Sequence, residues 1–299
     1  MIKIGIVGLP NVGKSTLFKA LTQKPVVIAN YPFATIDPNM GAVEVPDERL
    51  LKLSRFSNSQ KTIPAIVEFA DIAGLVKGAS QGLGLGNSFL SHIRDVDAVL
   101  HLVRVFKDAN IVHVEQNPEP LRDFEIINLE LVLKDLDVTS KALEKSKSEA
   151  KSGNKEKTKR RDSLEKIKKI LEENKLLLGG LDEEESKIAS ETGLLTYKPM
   201  LVVFNISEQE LASGWQPDKE LKKTLGKIPY LSAPIAVEAS IAETESLAER
   251  QELYELSGIA ETGLKQLIRK SYDVLGLITF FTTGEDETRA WTIPSGSKA

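Results

Sequence analysis

The sequence predicts an α/β fold, a mostly parallel sheet flanked by helices, with a helical insertion. Three observations predict it. Residues 2–7 form a short apolar run that passes directly into Gly8-Leu9-Pro10-Asn11-Val12-Gly13-Lys14-Ser15, the pattern G-x-x-x-x-G-K-S between a strand and a helix. Further apolar runs of strand length, at 63–70, 98–105 and 200–204, alternate with helix-patterned segments, as in parallel sheets. The stretch between the last two runs has a helical period and adds no strand of its own.

The loop after the first strand binds phosphate. Gly8 and Gly13 let the backbone curl so that successive N–H groups point inward, with Asn11, Val12, Gly13 and Thr16 lining the anion. Lys14 supplies a cation for the β- and γ-phosphates, and Ser15 offers a hydroxyl to Mg²⁺. The helix starting near Lys14 aims its positive end at the same group. The ligand expected here is a nucleoside triphosphate.

The chain has 299 residues, enough for more than one domain. With 41% hydrophobic and 27% charged residues it has a globular composition. It has no cysteine, which excludes disulfides, thiolate metal sites and a catalytic thiol. No apolar run reaches membrane-span length, and the first strand begins at once, so the expectation is a cytoplasmic protein without a signal peptide. A net charge of −4 argues against binding polyanions through a bulk field and against sequence-specific DNA binding.

Residues 15–21 read as the first helix. Residues 26–38, with two prolines around Asn30-Tyr31-Pro32-Phe33-Ala34-Thr35, read as an extended loop in which Thr35 closes over Mg²⁺ and the γ-phosphate. Residues 41–45 read as a strand and 47–56 as a helix. The strand at 63–70 ends in Asp71-Ile72-Ala73-Gly74. Asp71 at a buried strand end would hold the metal's water shell, and the Gly74 N–H would sense the γ-phosphate. Many GTPases follow that glycine with a glutamine that orients water. Here Leu75 follows, which cannot polarise water. Residues 77–87 carry four glycines and read as a switch loop, residues 87–94 as a helix. Of the three histidines, His92 and His101 read as ordinary helix and strand residues. His113 lies in a segment that can reach the active face and could orient water in place of the missing glutamine.

Together, the phosphate loop, the Asn30-to-Thr35 segment and Asp71-Ile72-Ala73-Gly74-Leu75-Val76-Lys77-Gly78-Ala79 resemble the Obg-like ATPases of the YchF type. The resemblance implies a G-domain-like fold with an inserted coiled coil, an aliphatic residue at Leu75, His113 as the catalytic substitute within an Asn-Ile-x-His-Val segment, and association with ribosomes.

From Asp71 to Asn205 is 134 residues, about twice what the intervening sheet elements need. Ile126, Leu129, Leu133, Leu136 and Leu143 follow a heptad seam, and Leu164, Ile167 and Leu171 a second helical stripe, with a break at 151–155. The expectation is an antiparallel helical hairpin. Between Lys141 and Lys175 stand 13 Lys/Arg against seven Asp/Glu, which reads either as a solvated face or as a contact for the phosphates of ribosomal RNA or another polyanion.

The strand at 200–204 runs into Asn205-Ile206-Ser207-Glu208. GTPases read guanine with N-K-x-D, and here Ile206 and Glu208 replace the lysine and aspartate. Adenine has an acceptor at N1 and no 2-amino group, so a carboxylate gains nothing there. Asn205 can still reach the N7/N6 edge. The resemblance implies an N-x-x-E motif with ATP preferred. Residues 234–239 read as the last strand and its loop, with Ala236 and Val237 beside the base. Helices are expected at 220–225, 246–256 and 261–275. Residues 277–282 and 288–293 read as a hairpin resembling the start of a TGS domain, a small β-grasp module, of which the chain carries only the beginning. Its free edge could promote self-association.

The expected organisation is a nucleotide domain from 1–121 and 196–275, a helical insertion at 122–195 and a partial TGS segment at 276–299. The expected activity is slow ATP hydrolysis with Mg²⁺, by a monomer that binds GTP less well. Lys14, Thr35, Gly74 and His113 serve the chemistry, and Ser15, Thr35 and Asp71 the metal. Asn11 is a candidate ligand for K⁺. The alternatives are a GTP-specific GTPase and a nucleotide-gated ribosome- or RNA-binding module with incidental turnover.

Overall fold

A computed structural model describes residues 2–23, 39–72, 90, 92–151, 154–259 and 262–298. In chain order the elements are β1 (Lys3–Val7), α1 (Lys14–Thr22), β2 (Met40–Glu44), α2 (Glu48–Phe56), β3 (Lys61–Ile63), β4 (Ile66–Asp71) and β5 (Ala98–Arg104). There follow α3 (Pro120–Ala150), α4 (Lys155–Glu172), α5 (Glu183–Thr192), a 3₁₀ turn (Leu195–Tyr197) and β6 (Met200–Asn205). The chain closes with α6 (Glu208–Ala212), α7 (Lys219–Leu225), β7 (Tyr230–Ala233), α8 (Ile235–Glu243), α9 (Leu247–Leu256), α10 (Gly263–Val274), β8 (Leu277–Thr283) and β9 (Glu287–Pro294).

Six strands form one sheet in the order β2-β4-β1-β5-β6-β7. β2 runs antiparallel to β4 at one edge, and the remaining pairs are parallel. β5 and β6 are buried along their whole length, which is why their sequences are near-continuous apolar runs rather than alternating ones. The main core packs Ile4, Ile6, Val67, Phe69, Leu100, Val202 and Phe204 of the sheet against helix residues such as Leu17, Leu267 and Ile268.

Four expectations are corrected. The run at 63–70 is two strands: Pro64 cannot donate to a ladder, and the chain breaks there into β3 and β4. The last sheet strand is β7 rather than 234–239. Pro234 interrupts the ladder and stands at the cap of α8, so Ala236 and Val237 are helical. The buried stripe of α3 is Phe124, Ile127, Leu131, Val132, Asp135, Thr139 and Leu143, while Leu129 of the expected seam is 44% exposed. The cause is a change of partner along one 31-residue helix: Phe124, Ile127 and Leu131 enter the sheet core, whereas Val132 and Leu143 join a separate cluster with Leu164, Ile167 and Leu171 of α4. Finally, the β9 edge of the β8–β9 hairpin is not free, because β9 pairs on its other side with β3 in parallel, Lys61 opposite Glu287, which leaves β8 as the hairpin's edge strand. Tyr272 of α10 ties the same hairpin down through its hydroxyl, which bonds Thr292 at 2.9 Å.

α3 and α4 pack along each other as the helical hairpin. Asn154 starts α4 by accepting the Glu156 N–H at 2.8 Å.

Candidate nucleotide site

The site lies at the carboxyl ends of the parallel strands, where open α/β sheets place ligands. Val7 leads into the phosphate loop. Asp71 ends β4 opposite Ile6, and Arg104 ends β5 opposite Asn205, the last residue of β6.

Sterics explain both glycines of the loop. A Cβ on Gly8 would stand 2.5 Å from the Leu102 carbonyl oxygen. Gly13 has φ 101°, and its Cβ would stand 2.7 Å from Asn205 Nδ2. Gly13 caps α1, and Lys14 is its first residue. Lys14 is buried and donates to the Gly8 and Leu9 carbonyls at 3.2 and 2.9 Å. Burial pulls its ammonium down to about 8, against a smaller opposing pull from Asp71. A buried cation over curled backbone has a clear use, since an anion entering the loop supplies the charge it lacks. Val12 is buried, whereas Asn11, Ser15 and Thr16 are exposed on the open side of the loop.

Ser15 Oγ donates to Asp71 Oδ2 at 2.8 Å. A hydroxyl and a carboxylate oxygen meeting beside the loop are hard ligands of the kind Mg²⁺ takes, with phosphate oxygens and water completing its shell. The residues present therefore fit Mg²⁺. Among the described residues no three His, Asp or Glu side chains gather as an all-protein metal site. Asn11, at φ 61°, donates its Nδ2 to the Val112 carbonyl at 3.0 Å. That bond joins the phosphate loop to the segment carrying His113.

Asn205 is a strut. Its Nδ2 donates to the Val12 carbonyl at 2.9 Å, and its Oδ1 accepts the Ile235 N–H at 3.3 Å. It locks the phosphate loop to the start of α8. Ile206 is buried, and its N–H donates to the Ala233 carbonyl at 3.1 Å. Glu208 is the exposed first residue of α6. Ala236 is exposed and Val237 half-buried in the first turn of α8. Asn205 thus gathers Val12, Ile206 and the α8 turn, with Glu208 near by in sequence.

The His113 side chain is 1% exposed. Its Nδ1 accepts the Glu115 N–H at 3.2 Å, which puts the proton of a neutral ring on Nε2. Nε2 lies 3.0 Å from Asp123 Oδ2, a close contact that lacks the angle of a hydrogen bond. His113 therefore sits one residue from the loop contact at Val112 with its ring turned inward. His101 is buried in β5, stacked on Phe124 at 5.2 Å, and desolvation holds it neutral at about 3. Thr35, Gly74 and Leu75, with the segments 26–38 and 77–87, lie outside the described residues.

Sequence reasoning missed Arg104, Asp123 and the bracing of the phosphate loop by Asn205. An arginine inside the apolar run at 98–105 was the available signal for the first. A groove of ≈ 770 Å³ beside Ala20, Val43, Leu50 and Ile268 flanks the sheet, and none of the site residues lines it.

The family described as "50S ribosome-binding GTPase" matches residues 3–140. The chain is 49% identical over 300 residues to the ribosome-binding ATPase YchF of Bacillus subtilis, covering 99% of this chain and 82% of that protein. It is 44% identical over 301 residues to the protein of the same name from Escherichia coli O157:H7, with coverage of 99% and 82%. Among solved structures, the YchF GTPase of Schizosaccharomyces pombe superposes with a TM-score of 0.86 at 38% identity, over 100% of this chain and 82% of that one.

Proposed function

The chain belongs to the YchF family, and from that premise we propose that it is a nucleotide-dependent switch that binds and slowly hydrolyses ATP, takes GTP less well, and associates with the ribosome. It is a P-loop nucleoside triphosphatase, and the proposal concerns its nucleotide and its purpose. The observation that carries the reading is the phosphate loop itself, with the buried Lys14 cation held against its curled backbone through the Gly8 and Leu9 carbonyls.

In this reading Lys14 and the amides of Asn11 to Thr16 hold the phosphates. Ser15 and Asp71, with Thr35, hold Mg²⁺, which when bound neutralises phosphate charge. Gly74 senses the γ-phosphate. Asn205, Ile206, Glu208, Ala236 and Val237 border the base, and the N-x-x-E sequence at 205–208 favours adenine over guanine. Asn11 is a K⁺ ligand only if its amide leaves Val112 and presents Oδ1. His113 orients the attacking water once its ring turns from Asp123 toward the loop. The need for that turn suits slow turnover. The helical hairpin, residues 122–195, is the ribosome-facing arm, and the β8–β9 segment is the start of a TGS module. The protein acts as a cytoplasmic monomer.

Two experiments test this. His113→Ala should lower the rate of ATP turnover without lowering ATP affinity, and an unchanged rate rejects the residue's role. Cosedimentation with ribosomes should differ between ATP, ADP and no nucleotide, and equal binding in all three argues against gating.

A further inference from the structure

Arg104 ends β5 and is 1% exposed. A guanidinium carries five N–H donors and keeps its charge, so burying one is costly unless its donors are met. Here one loop meets three of them. Nε donates to the Phe106 carbonyl at 3.0 Å, and the two terminal nitrogens donate to Ile111 at 3.1 Å and Asp108 at 3.3 Å. The guanidinium also lies 4.4 Å from the centre of the Phe106 ring. Burial lowers its affinity for the proton, and Asp108 and Asp123 oppose that shift.

The loop so gripped continues into Val112 and His113. Asn11 holds the Val112 carbonyl from the phosphate-loop side, one residue beyond the last carbonyl held by Arg104. A leucine or methionine could end a buried strand without the cost of a desolvated charge. What such a residue could not do is fix three carbonyls of a loop that lacks regular structure. Lysine could not either, because an ammonium on a flexible stem does not reproduce the planar fork.

We propose that Arg104 is a positioning residue for hydrolysis: by clamping the carbonyls of 106–111 it sets the place at which Val112 meets Asn11 and from which His113 reaches the phosphate-bound water. The proposal rests on the water-orienting reading of His113. Loosening the clamp leaves the phosphate loop intact, so the nucleotide should still bind. It misplaces the imidazole, and small misplacements of a reacting group cost on the order of 10- to 100-fold in rate.

The test is single-turnover ATP hydrolysis, with fluorescent-nucleotide affinity measured alongside, on wild type, Arg104→Gln, Arg104→Lys, His113→Ala and the double variant Arg104→Gln/His113→Ala. Arg104→Gln should lose rate at unchanged affinity, Arg104→Lys should not restore it, and the double variant should be no slower than His113→Ala alone. If Arg104→Gln does not fold, Arg104→Lys carries the test, since it keeps the cation. Arg104→Lys at the wild-type rate overturns the proposal. So does a rate loss that multiplies that of His113→Ala, or one matched by an equal loss of affinity, either of which makes Arg104 a support of the fold alone. His113→Ala at the wild-type rate, with Arg104→Gln still slow, instead overturns the reading of His113 and leaves the clamp acting through another group.

Discussion

Lys14→Met separates the cost of a buried cation from its use. Desolvation holds the Lys14 ammonium at about 8 against an ordinary 10.5, with Asp71 opposing. The difference corresponds to about 3 kcal/mol between the charged and neutral forms. The folded-state value is depressed for a base, so the penalty is fully present below about pH 8 and vanishes as pH rises through 10.5. Within that window the unfolded chain binds more protons than the native one, and stability rises with pH. Methionine removes the titrating group. It also removes two bonds, to the Gly8 and Leu9 carbonyls, which shifts the stability difference by a constant. Wild type should therefore gain about 3 kcal/mol on Lys14→Met between pH 8 and 10.5, whatever the offset. Urea unfolding followed by tryptophan fluorescence measures this, since Trp215 packs 5.2 Å from Phe204 in the main core. The other lysines cancel in the difference between the two proteins. A difference that stays flat across that range, or falls, would refute the reasoning.

Asn205→Ala should cost about 2–4 kcal/mol, because it strands the Val12 carbonyl and the Ile235 N–H in a buried place. The melting temperature should fall and nucleotide affinity with it. Leu171→Ala should cost about 2–5 kcal/mol locally, since Leu171 is fully buried in the cluster of the helical arm. Nucleotide affinity should not change, because that cluster is separate from the core beneath the phosphate loop, and hydrogen exchange should rise in α4. Replacing Lys155, Lys157 and Lys159 together by Gln should weaken ribosome pelleting and flatten its salt dependence. None of the three makes an ion pair among the described residues, so stability should hardly move.

The fold was legible where physics is local. A strand running into Gly8, Gly13 and Lys14 admits few alternatives, and the buried runs of β5 and β6 announced themselves by composition. The α4 stripe of Leu164, Ile167 and Leu171 was legible because that helix buries one face only. The α3 seam was not, because the helix changes partner midway and its apolar residues serve two cores. The pairing of β3 with β9 joins residues far apart in the chain, and the three residues of β3 carry no periodicity of their own. At the site, sequence could name Lys14, Ser15, Asp71 and Asn205. It could not show that both ends of the Asn205 amide are engaged, nor that Arg104 holds the loop before His113, because both facts depend on backbone N–H and carbonyl groups that no side-chain pattern reveals.

The most direct test of the account is a competition titration, in buffer containing Mg²⁺, in which ATP and GTP each displace a fluorescent nucleotide from the site. The N-x-x-E sequence at 205–208 predicts that ATP displaces it at the lower concentration. Displacement by GTP at a concentration about tenfold lower than ATP, a preference of about 1.4 kcal/mol for guanine, would contradict it.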